Sequence, residues 1–107
     1  MVRAHIWLVD SDVKVDVLCV VDITLPRSAL STFDLPVAGA ALTLQDLPVR
    51  GILSLEHDDG RRSGFFLDFH ITGEDYSRLG RDVLERTVMV YDPRGANLVF
   101  EVLDADI

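Results

Sequence analysis

Seven apolar residues, Val13, Val15, Val17, Cys19, Val21, Ile23 and Leu25, stand at every second position of one stretch, with Lys14, Asp16, Asp22 and Thr24 among the residues between them. A period of two sends successive side chains to opposite faces of an extended chain, whereas a helix repeats its apolar positions every three to four residues. The run therefore dictates a half-buried strand, and one this long has to bend or bulge to stay on a single curved sheet. Residues 2–9 form a second apolar stretch that ends at Asp10-Ser11-Asp12, whose short polar side chains favour a turn. The two stretches together predict a β-hairpin.

Pro26 lacks an amide donor and ends the long strand, and Pro36 and Pro48 punctuate the next stretch of chain. Between them the sequence admits a short helix at 28–33 and a short strand at 38–47 carrying Leu42 and Leu44. A second hairpin is clearer. Val49, Leu53 and Leu55 lead into a polar loop at 57–64, and the chain returns through Phe65, Leu67, Phe69 and Ile71. Gly60 and Gly64 are expected to supply the positive φ angles of that reversal. Thr72 followed by Glu74 and Asp75 reads as a helix start, which predicts a helix over about 73–86. Tyr76, Leu79 and Val83 would share one of its faces, with Glu74–Arg78 and Asp82–Arg86 pairs on the other, and Gly80 would let it lie close to the sheet. A last hairpin is predicted over about 87–103, around the Pro93 and Gly95 turn, with apolar residues on both faces of its strands. The expected fold is mostly β: a small antiparallel β-barrel of about six to eight strands with one helix near the C-terminus, spanning 1–107 as a single domain.

Size and charge narrow the function classes. A chain of 107 residues is short for two independent cores, and 49% hydrophobic residues leave apolar surface over for a partner or for self-association. Eighteen acidic against ten basic residues give a formal charge of -8, which repels phosphate backbones and excludes nucleic acid as an expected partner. Cys19 is the only cysteine, so an intramolecular disulfide or a thiolate cluster is impossible, and its apolar neighbours mark it as core packing. The first residues lack the basic-then-apolar plan of a signal peptide, and no apolar run approaches the ~18 residues of a membrane span. The expected location is cytoplasmic, without a membrane.

Catalysis would need convergent polar groups. Asp68 and His70 stand two apart on one strand, where a carboxylate could orient an imidazole base, but no nucleophile accompanies them, and an exposed strand face explains them more simply. His57-Asp58-Asp59 has cation ligands, yet a polar loop needs such residues in any case. Arg61-Arg62 reads as a solvated turn. No catalytic, cofactor-binding or metal-ligating residues are assigned, no cofactor is expected, and the chain is read as a non-enzyme.

One resemblance bears on function. Val21-Asp22-Ile23-Thr24-Leu25 leaving a long strand, a middle hairpin, and Phe66-Leu67-Asp68-Phe69 followed by Gly73-Glu74-Asp75-Tyr76-Ser77-Arg78-Leu79 resemble the order of a PilZ domain over roughly 13–84. The resemblance implies a six-stranded antiparallel barrel that ends in a helix entered through an acidic turn, and cyclic di-GMP as the family's ligand. Members that bind it carry Arg-x-x-x-Arg before the barrel and Asp/Asn-x-Ser-x-x-Gly on it. Here the second motif reads Asp22-Ile23-Thr24-Leu25-Pro26-Arg27, with Thr for Ser and Arg for Gly, and Arg3 stands alone where the first would be. Two phosphodiester charges need guanidinium forks, so cyclic di-GMP is disfavoured as a ligand. The expected function is a protein-binding adaptor or regulatory β-barrel module, PilZ-like with its dinucleotide site lost. The alternative is a structural or assembly subunit, of a virion or secretion apparatus, that forms homo-oligomers through its terminal hairpin. The expected interaction surface comprises Tyr76, Leu79, Val83, Tyr91 and Phe100.

Overall fold

The computed structural model describes residues 1–35, 48–57, 60–92 and 97–107. The chain is mostly β, with eight strands among the described residues: β1 Val2–Leu8, β2 Val13–Val21, β3 Ala29–Ser31, β4 Val49–Glu56, β5 Arg62–Thr72, β6 Ser77–Leu79, β7 Thr87–Asp92 and β8 Asn97–Val102. One short helix, α1 Arg81–Leu84, lies between β6 and β7. The first six strands close into a barrel in the order β1-β2-β6-β3-β5-β4, and β7 and β8 form a separate two-stranded sheet.

Alternation builds the wall as the sequence requires. Val2, Ala4, Ile6 and Leu8 of β1 point inward, as do Val17 and Cys19 of β2, Leu53 and Leu55 of β4, and Phe65, Leu67 and Phe69 of β5. β1 pairs antiparallel with β2 from Val2–Cys19 to Leu8–Val13, and with β4 from Ala4–Leu55 to Leu8–Gly51. β4 and β5 pair antiparallel over eight positions. The other side of the barrel departs from the antiparallel expectation, because β2 runs parallel to β6 and β3 runs parallel to β5.

Four local expectations are corrected. The long strand ends at Val21, not Leu25, because the Asp22 carboxylate accepts the Thr24 N–H and folds the chain into a turn; Ile23 is then 72% exposed. Residues 28–33 are a buried strand and a 3-10 turn over Thr32–Asp34, since Ala29 pairs with both His70 and Arg78. The helix over 73–86 shrinks to Arg81–Leu84. Ser77 and Leu79 alternate inward as strand residues, because closing the barrel requires a strand between β2 and β3. Thr72 accepts the Glu74 N–H in a turn instead of capping a helix. Of the two glycines expected to turn the second hairpin, Gly60 has positive φ, at 86°, whereas Gly64 does not and lies within the strand. The strand expected at 38–47 lies outside the described residues.

The terminal hairpin falls where expected, from Thr87 to Val102. Met89, Phe100 and Val102 pack against the barrel core. Val88, opposite Glu101, is 45% exposed and so belongs to the outer side. No helix among the described residues is long and apolar enough to cross a membrane.

Candidate functional site

The residues with chemical potential are dispersed. Asp68 and His70 are exposed on β5, and no hydrogen bond joins them. Asp68 lies opposite Arg50. His57 Nε2 is 2.7 Å from Ser63 Oγ and its ring is tilted against Phe100 at 5.6 Å, while Asp58 and Asp59 lie outside the described residues. Among the described residues no three His, Cys, Asp or Glu side chains stand where they could hold a metal ion. Burial, with a smaller contribution from the Asp34 charge, pushes the Cys19 thiol up to about 12, so it is inert at neutral pH.

The turn after β2 is a closed polar network. The Asp22 carboxylate accepts the Thr24 amide at 2.9 Å, the Thr24 hydroxyl at 2.5 Å and Arg78 Nη1 at 2.9 Å. These bonds, the Thr24 hydroxyl first, hold Asp22 below the usual carboxylate range. Arg78 also reaches Glu74 at 2.9 Å, so the expected Glu74–Arg78 pair forms, but across a turn into β6 instead of along a helix. Asp82 binds Ser28 through both carboxylate oxygens and Arg86 binds Asp106, so the expected Asp82–Arg86 pair does not form. Beside this network Arg27 and His70 border a mostly apolar hollow of about 270 Å³ with Leu25, Pro26, Ala29 and Pro48.

The expected interaction surface is not one surface. Leu79 and Val83 are fully buried, one on β6 and one on α1, and belong to the core. Tyr76 is 53% exposed in the preceding bend. Phe100 is partly buried against the core, and Tyr91 pairs with Leu98 in the backbone register while its side chain lies outside the described residues.

A different face emerges from the register. On the outer side of the sheet β2-β1-β4-β5, Lys14 lies opposite Trp7, Trp7 opposite Ile52, and Ile52 opposite Phe66. This single transverse row presents Trp7 at 38% and Phe66 at 58% exposure. The Lys14 ammonium sits 5.4 Å over the Trp7 ring, whose Nε1–H donates to Asp12 at 3.0 Å, so the indole is fixed in place. Charges pair around the row: His5 bonds Asp16 and faces Glu56, Arg50 lies opposite Asp68, and Glu56 opposite Arg62. Ile107 packs onto Gly64 beside the row, and with Trp7 and Ile52 it lines an open groove of about 640 Å³. Trp7 and Phe66 were visible in the sequence as large rings at outward positions of alternating strands. Their adjacency depends on β4 linking β1 to β5, which no local pattern encodes.

No protein-family model matches the chain, and no curated protein matches it significantly.

Proposed function

We propose that the chain is a non-enzymatic β-barrel module that acts by docking a protein surface on the outer face of β2, β1, β4 and β5. The row Trp7–Ile52–Phe66 carries the reading, because large exposed rings framed by paired charges have the composition of an interface centre and its polar rim. A PilZ-like ancestry accompanies it as part of the proposal. It is supported by a six-stranded barrel followed directly by a short helix, and by Asp22-Ile23-Thr24 at the exit of β2. In this reading the dinucleotide turn is self-occupied, since Thr24 and Arg78 already fill Asp22. The assembly alternative through the terminal hairpin has less support, because Met89, Phe100 and Val102 are committed to the barrel core.

Two measurements test the proposal. Calorimetry with cyclic di-GMP should give no binding heat, and a micromolar Kd would overturn the loss of the ligand. A photo-crosslinking side chain at position 66, expressed in the producing cell, should give discrete protein adducts that Trp7→Ser abolishes. Adducts from position 76 and none from 66 would remove the docking face.

A further inference from the structure

We infer that the edge of β5 at 64–68 takes an extended peptide strand in which aliphatic and acidic residues alternate, and that residues 103–107 of the chain itself hold the place of such a partner. The inference rests on the reading of the chain as a protein-docking module and adds the form of its partner at the edge that borders Phe66.

The backbone argues for it first. Gly64 donates to the Ile107 carbonyl at 3.0 Å and accepts from the Ile107 N–H at 3.2 Å. Two residues that exchange both bonds in this way make one rung of an antiparallel ladder. Continued, the ladder would set Ala105 opposite Phe66 and Leu103 opposite Asp68. It stops instead: no backbone bond joins Ala105 to Phe66, and the Phe66 N–H goes to the Asp106 carboxylate at 2.8 Å. β3 takes up the edge from His70, whose N–H donates to the Ser28 carbonyl at 3.1 Å. An edge that has accepted one rung is a template for a longer added strand.

The side chains already seated there define the strand that fits. Ile107 fills the space over Gly64, where a Cβ would lie 2.7 Å from Ile107 Cγ1 and 3.6 Å from Ile52 Cγ2. Asp106 receives two bonds of 3.1 Å from Arg86, and Asp104 stands 3.7 Å from the same guanidinium. Arg86 is a fixed receptor for a carboxylate, because its guanidinium lies 4.9 Å over the Phe65 ring and its side chain is only 24% exposed. A partner that displaced the segment without a carboxylate of its own would leave that partly buried charge unpaired. The partner therefore brings an aliphatic side chain over Gly64 and an acid beside it for Arg86.

The resident segment has the right pattern but the wrong tether. Leu103-Asp104-Ala105-Asp106-Ile107 alternates aliphatic and acidic residues, the pattern of a strand in a stretch that forms none. Its Leu103 N–H is held by the Arg86 carbonyl at 2.9 Å, at the root of the β7–β8 hairpin, so the segment cannot lie along β5 beyond its first rung. A free strand of the same pattern has no such tether. It pairs along 64–68 with its aliphatic side chains beside Phe66 and its carboxylates on the opposite face, toward Phe65 and Arg86.

Fluorescence anisotropy of a dye-labelled peptide copying residues 101–107 tests this on the full chain carrying Asp106→Asn and Ile107→Ala, which weakens the resident contacts and leaves the barrel core intact. The expected result is saturable binding at least about tenfold tighter than to the native chain, the ratio that one lost charge-assisted hydrogen bond gives. Methylating the backbone nitrogen of the peptide's isoleucine removes the bond to the Gly64 carbonyl, and Gly64→Ala in the same variant fills the space over β5, so each should weaken binding at least about tenfold. Far-UV circular dichroism checks the fold, and if the double variant melts, Ile107→Ala alone carries the comparison. No saturable binding up to about 1 millimolar peptide, or equal affinity for the native chain, overturns the inference. Binding indifferent to both the methyl group and Gly64→Ala overturns it as well. Protein adducts at position 66 without peptide binding would sink the strand partner and leave the docking face standing, whereas peptide binding without adducts at 66 would sink the face and keep the edge.

Discussion

At Gly80 one methyl group decides whether two segments can meet. A Cβ there would lie 2.6 Å from the Arg27 carbonyl carbon, 2.7 Å from its oxygen and 2.9 Å from the Ser28 nitrogen. These are backbone atoms, and Ser28 is held in place by Asp82 on one side and by the Gly80 N–H on the other. Neither partner can move aside cheaply, so Gly80→Ala is expected to cost about 3 kcal/mol, the upper end for overpacking. Gly73→Ala, where a Cβ meets nothing within 4 Å, should cost under about 0.5 kcal/mol. Urea unfolding of the two variants checks the contrast, and equal losses would show that the close approach is unimportant. The sequence marked Gly80 as a point of close approach but placed it within a helix. Leu79 and Val83 explain the error. Their spacing fits a helical face, yet Leu79 also fits the inward alternation of a strand that starts at Ser77. Over so few residues the two periods cannot be separated, and tertiary pairing chose the strand.

Among elements, the segment after β8 does more than its lack of regular structure suggests. Gly64 donates to the Ile107 carbonyl and accepts from Asp106 and Ile107, while the Asp106 carboxylate takes the Phe66 N–H at 2.8 Å and two bonds from Arg86 at 3.1 Å. The segment thus satisfies the edge of β5 that β3, paired only at His70–Thr72, leaves open. Arg86, followed by the Phe66 N–H, holds the Asp106 carboxyl below its ordinary range. A depressed folded pKa contributes stability above the unfolded value of about 4, and this is lost as pH falls through the folded pKa. Asp22 acts in the same direction. The urea midpoint of the native chain is expected to fall as pH drops from about 5 to about 2.5, and to fall less in Asp106→Asn. Identical slopes in the two proteins would exclude this linkage. The three hairpins were legible because alternation and turn residues are local. β3 and β6 were not, since three residues carry too little pattern and their pairings reach across forty or more positions.

Across the whole molecule, the barrel wall is uneven. β2, β1, β4 and β5 form a broad sheet joined by seven, five and eight residue pairs, whereas β3 and β6 complete the ring through joints of three, one and three. The broad part carries the proposed docking face, so the rings of Trp7 and Phe66 stand on the most heavily bonded part of the wall and lose little freedom on binding. The thin part includes Cys19, which faces Ser77 across the β2–β6 joint. Its thiol is buried and protonated when the joint is shut. Thiol-labelling of the native chain at pH 8 should therefore proceed only through openings of that joint. Gly80→Ala, which disturbs the chain next to β6, should speed it at least tenfold more than Gly73→Ala does. Equal rates in both variants would mean that the thiol is reached by another route. The sole cysteine, inert in the closed barrel, thereby becomes a built-in clock for how often the ring parts at its clasp, a rate that can be read without attaching any probe to the docking face.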